Sequence, residues 1–227
     1  MKIIVKAKPN SKMDKVERVE QATLPFGGSG REGTMPVYKV SVKERAVDGR
    51  ANEAIVSAAN KGNPNVVREL IKAKADINYA DKHGYTALIG LIAYSPYKQT
   101  AEWKKSRAEA VQDLIKAKAN VNQADKLHDG DTALIRAIRN HDLDAVQMLL
   151  KAPKININYA NNNGDTALIV AAKYIQTTYI AGRNDQYNNC LNSQKILEIL
   201  LKTPGINLYH VNKDGDTAAK LIEKIQA

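Results

Sequence analysis

The chain has 227 residues with 34 Lys and Arg against 24 Asp and Glu, so its net charge of +10 attracts anionic partners at long range. One cysteine, Cys190, excludes an internal disulfide and a Cys-rich metal site. No stretch approaches 18 apolar residues, so no membrane span is expected. The first twelve residues are charged at Lys2 and Lys6 and hold too short an apolar run for a signal peptide. A cytoplasmic protein is the expectation, with secretion into a host cell by a specialised system as the alternative.

In chain order, Ile3 to Ala7 and Val37 to Val42 have the apolar patterning of strands, and Pro9-Asn10-Ser11 ends the first. Two strands cannot stand alone, so a small N-terminal β element packed on the first helices is expected. The interval between them contains Gly28-Ser29-Gly30-Arg31-Glu32-Gly33, which matches the dinucleotide fingerprint in letters only. An extended Met35 to Val42 follows it instead of a helix that could hold a pyrophosphate. Residues 1 to 50 hold eleven Lys and Arg against six Asp and Glu, the densest basic region of the chain.

Beyond residue 50 the pattern becomes helical and repetitive. Glu53 to Asn60 and Asn65 to Lys74 form an opening helix pair, turned at Asn63-Pro64. Thr86, Thr132, Thr166 and Thr217 each begin a further helix, with the hydroxyl placed to cap the first turn. Return helices are expected from Ala101 or Arg107 to Lys118, from Leu143 to Leu150 and near Ser193 to Lys202. The phrase Gly-x-Thr-Ala-hydrophobic recurs at Gly84, Gly130, Gly164 and Gly215. A second phrase precedes it at Ala75-Asp76-Ile77-Asn78, Ala119-Asn120-Val121-Asn122 and Ile155-Asn156-Ile157-Asn158, and in degenerate form at Ile206-Asn207-Leu208. Such in-phase recurrence marks a stack in which each unit packs on its neighbours.

These phrases resemble the ankyrin repeat over about residues 51 to 227: a Gly-x-Thr-Ala-Leu start, a Val-Val-x-x-Leu-Ile middle and an Ala-Asp-Ile-Asn end. The implied fold is mainly α, an ankyrin-repeat solenoid of helix pairs with a small N-terminal β element. The implied function is non-enzymatic protein binding through finger tips and inner helices. The Thr-Ala-Leu-Ile starts lack the Pro and His common in the family, so the hydrogen-bond network of that turn must be weaker or replaced. The marker glycines are 46, 34 and 51 residues apart, against roughly 33 for the family. Two units therefore carry insertions, near 94–106 and 175–192. Separately, Lys8-Pro9-Asn10-Ser11-Lys12 and Val47-Asp48-Gly49-Arg50-Ala51-Asn52-Glu53 resemble the small α/β family called DUF167, or YggU-like, which implies a domain boundary near residue 50.

Candidate partner contacts carried over from the ankyrin resemblance are Tyr79, Lys82, Tyr85, Lys126, Tyr159 and Asn162 on the fingers. The inserts add Tyr97, Trp103, Tyr179 and Tyr187, and the alternative for them is internal packing of extended helices. Asp81, Asp125 and Asn161 read as closers of local turns. Lys8, Lys12, Arg45 and Arg50, with Asn52, are candidates for anion binding, and a nucleic-acid-binding module built on that basic patch is the alternative function. His83, His128, His141 and His210 lie in different units, without the spacing of metal ligands or of a catalytic group. No catalytic residue, cofactor or metal is expected. The partner is another protein, and the chain is expected to be a monomeric scaffold or adaptor, with a bacterial effector role as one version.

Overall fold

The computed structural model describes residues 17–19, 37–39, 49–94, 100–127, 129–180 and 187–226. Among these, two short extended segments, β1 (Glu17–Val19) and β2 (Val37–Lys39), pair antiparallel with Arg18 opposite Tyr38. This overturns the expected N-terminal β element. Three residues a side do not make a β layer, and β2 pairs with Glu17–Val19 instead of the Ile3 to Ala7 run, which lies outside the described residues. The described fold is a helical solenoid without a β cap.

Its helices come in pairs: α1 (Gly49–Asn60) with α2 (Pro64–Lys72), α3 (Ala87–Ala93) with α4 (Ala101–Lys116), α5 (Ala133–Arg139) with α6 (Leu143–Leu150), and α7 (Ala167–Ile180) with α8 (Tyr187–Leu201). A last helix, α9 (Ala218–Gln226), packs on α7. The first helices α1, α3, α5, α7 and α9 stack in order, and the return helices α2, α4, α6 and α8 form a second row behind them.

Local chemistry sets the helix starts. Thr86, Thr132, Thr166 and Thr217 each accept a hydrogen bond from the backbone N–H three residues on, satisfying a donor left free in the first turn. Thr100 caps α4 and Asp142 caps α6 in the same way. Pro64 opens α2, where its missing N–H costs nothing.

The seam between units is one continuous core. Leu88, Leu134 and Leu168 are all at most 1 % exposed and belong to a single buried cluster that runs from Ile55 to Leu221. Alanines at 87, 133, 167 and 218 let neighbouring helices approach closely. Each fully buried leucine contributes about 2 kcal/mol, so the seam holds the stack together in spite of its polar fingers.

Candidate interaction surface

The chain between a return helix and the next first helix forms a finger, and its conformation is set by Asp and Asn side chains. Asp81 Oδ1 accepts from the N–H groups of His83 and Tyr85, and Asn161 and Asn212 repeat this with their own followers. Asp125 accepts from Leu127. These residues close turns, as their sequence position implies. Successive fingers are also tied through main chain: Lys126 N donates to His83 O, Asn162 N to Asp129 O and Lys213 N to Asn163 O.

Behind the tips lies the network that replaces the family's usual Pro and His arrangement. Asp131, fully buried, accepts from Arg139 Nε at 2.7 Å and from Asn161 Nδ2 at 2.9 Å, joining two fingers to α5. Asp125 pairs with Arg136 at 2.9 Å. Asp165 accepts from Lys173 and from Asn212 Nδ2, and Lys173 also reaches Asp214. Burial works to lower the Lys173 pKa, but the two carboxylates outweigh it and hold the group above its ordinary value. Burial raises the Tyr85 phenol. These charges are paired inside the stack, with Asp214 still open to solvent.

Among the expected contact residues, Lys82, Lys126 and Asn162 are exposed at equivalent places on three consecutive fingers. Tyr79, Tyr85 and Tyr159 are half-buried and rest against the core. Tyr97 lies outside the described residues, as do Lys8, Lys12 and Arg45. Tyr179 is on α7, Tyr187 opens α8 and Arg50 is in the first turn of α1. Asn52, grouped with the anion cluster in the sequence, braces the stack instead, because its Oδ1 accepts from Asp76 N at 2.9 Å.

The insert edges turn inward. Trp103 is half-buried, and its indole N–H donates to Gly62 O at 2.9 Å, in the turn of the preceding unit. Tyr94 covers the same turn, with its ring 6.0 Å from that of Trp103, and Arg107 lies 5.3 Å from the Trp103 ring centre. Two units on, the arrangement recurs around His141. Tyr174 meets its ring edge to face at 5.0 Å, Ser193 Oγ lies 2.7 Å from Nδ1, and Asn192 Nδ2 donates to His141 O. Much of the inserted length is helix: α4, α7 and α8 have 16, 14 and 15 residues, against 8 in α6.

Leu127, at 55 % exposure, is an exposed apolar side chain that was not among the expected contact residues; it sits on the second finger beside Lys126. The signal was present in the sequence, because Leu127 and His128 make this finger two residues longer than its neighbours. Tyr209 and Val211 are also exposed, at 75 % and 59 %, on the last finger. Among the described residues there is no group of three or more His, Cys, Asp or Glu that could hold a metal, and no helix is long and apolar enough to cross a membrane.

In comparison with known families, the model described as ankyrin repeats (3 copies) matches residues 99–181, and that of the single ankyrin repeat matches residues 54–82. Neither match covers the first fifty residues, and no family match supports the DUF167 resemblance there. A search of curated proteins finds no match.

Proposed function

This chain is an ankyrin-repeat protein, and from that premise we propose that it is a non-enzymatic scaffold that holds another protein against its row of finger tips. The observation that carries this reading is the exposure of Lys82, Lys126, Leu127 and Asn162 on fingers whose own backbones are already hydrogen-bonded to one another. Pre-braced fingers lose little conformational freedom on binding, so the tip contacts are not spent on ordering loops. Leu127 supplies the apolar anchor, and the lysines and Asn162 supply a polar rim. Tyr79, Tyr85 and Tyr159 support the tips from below and reach a partner only along their exposed edges. The same reading puts the protein in the cytoplasm, or in a host cell reached by dedicated export.

Affinity capture tests it, with the full chain and with a variant carrying Lys82→Glu, Leu127→Ser and Asn162→Ala. The expected result is loss of a reproducible bound protein with an unchanged helical circular dichroism spectrum. Retention of the same bound protein by the variant would place the contact elsewhere.

A further inference from the structure

The edge of the stack where the return helices run into the fingers carries a second pattern. Each of the first three return helices ends in a pair of lysines: Lys72 and Lys74, Lys116 and Lys118, Lys151 and Lys154. All six are exposed. Lys72 is paired with Glu69, but among the described residues the other five have no ion pair. The carboxylate of Asp113, the nearest acid on α4, is taken by Arg68. Asp76 has only asparagine at the equivalent places of later units, Asn120, Asn156 and Asn207. The middle of this edge is therefore uniformly cationic.

The second lysine of each pair stands in a conformation that side-chain-bearing residues avoid. Lys74, Lys118 and Lys154 have φ of +61°, +69° and +61°, whereas the equivalent residue of the fourth unit is Gly205 at +81°. Glycine suits this backbone, so three lysines in a row are kept against a local preference. Residues held this way point to a role for the side chain. The geometry around them is clamped: Asn122 Nδ2 donates to Lys154 O, and Asn158 Nδ2 to Gly205 O, both at 2.8 Å. Asparagine side chains also join the residues two positions further on, from Asn78 to Asn120, Asn122 to Asn156 and Asn158 to Asn207, which places the lysine pairs on one line.

We infer that this lysine line is a second docking surface, for an extended acidic segment of a partner protein. Neighbouring helices pack about 8–10 Å apart, so an extended chain rising about 3.3 Å per residue offers a carboxylate to every unit from each third residue. The line has no aromatic ring for a base to stack on, and the residues between the lysines, Ala73, Ala117, Ala152 and Pro153, give no bulky apolar group for a lipid surface. This surface is independent of the finger-tip reading and stands if that reading fails.

A fluorescein-labelled peptide of ten glutamates is the probe, measured by anisotropy against the full chain over a range of salt. The chain is expected to bind it, more weakly as salt rises. A variant with Lys116, Lys118, Lys151 and Lys154 all changed to Gln should lose about tenfold or more at low salt, the added effect of four close charges. A variant with Lys82→Gln and Lys126→Gln should bind as the parent does. Changing Lys74, Lys118 and Lys154 to Gly should weaken binding and melt no lower than the parent, since glycine relieves the backbone. Absence of peptide binding, equal loss in the finger-tip variant, or tighter binding of a 20-base-pair DNA or of phosphatidylserine vesicles than of the peptide would each overturn the proposal.

Discussion

Gly62 and His141 hold the same backbone position, just past the first helix of a unit, at φ of +67° and +53°. Glycine is at ease there; His141 is held by Ser193, Asn192 and the Tyr174 ring. Burial lowers its pKa below the ordinary 6.5, so the folded chain keeps the ring neutral while the unfolded chain takes up a proton near that value. The stabilisation from a neutral His141 is thus complete above pH 6.5 and declines as the pH falls below it. Calorimetry at constant ionic strength should show the thermal midpoint falling from pH 7.5 to about pH 5.5. His141→Gly, which suits the backbone, should flatten part of that slope; an unchanged slope would mean His141 is not responsible. None of this was legible in the sequence. Ser193 is 52 residues away, and spacing carries no information on φ.

At the scale of elements, the helix starts were readable because threonine caps and the apolar stripe are local signals. Helix lengths were less so. The choice between Ala101 and Arg107 as the start of α4 is settled by Thr100, and α7 extends beyond Tyr174 to Ile180. Long helices need tertiary cover, and here the cover is the turn of the preceding unit, 41 residues earlier for Trp103. A Cβ on Gly62 would lie 2.0 Å from Tyr94 Cε1, and the φ there already disfavours alanine. Gly62→Ala should therefore destabilise the chain by about 2–3 kcal/mol in urea unfolding. Emission of Trp103, the single tryptophan, should shift to the red as its N–H loses the Gly62 carbonyl. A variant with parental stability and emission would show that this turn does not hold α4.

Across the whole molecule, stability is a sum of units and of the interfaces between them. The asparagine chain along the lysine edge is one such interface. It gives Asn78, Asn122 and Asn158 a structural role, each accepting from a backbone N–H of the next unit. Asn122 makes two cross-unit bonds, accepting from Asn156 N and donating to Lys154 O. Asn122→Ala should cost about 1–3 kcal/mol. Because it cuts between units, it should also separate the urea transition seen by Trp103, in the second unit, from that seen by far-UV circular dichroism. Coincident transitions would mean the apolar seam alone couples the halves. The repeat architecture was legible from Gly-x-Thr-Ala and the Asn-ending phrases. The proposed surface was legible only in part, because exposure depends on what the neighbouring unit covers: Lys82, Lys126 and Asn162 remain open, while Trp103 folds inward.

The main-chain ties from finger to finger have a further consequence for any ligand that spans several units. Lys126 to His83, Asn162 to Asp129 and Lys213 to Asn163 tie each finger to the next and so fix the interval between them. The molecule behaves as a graduated rule whose marks cannot slide, so a partner must match its pitch. Leu127, exposed at the tip of the second finger, adds one apolar mark to that rule, by which ligands of equal length would be told apart.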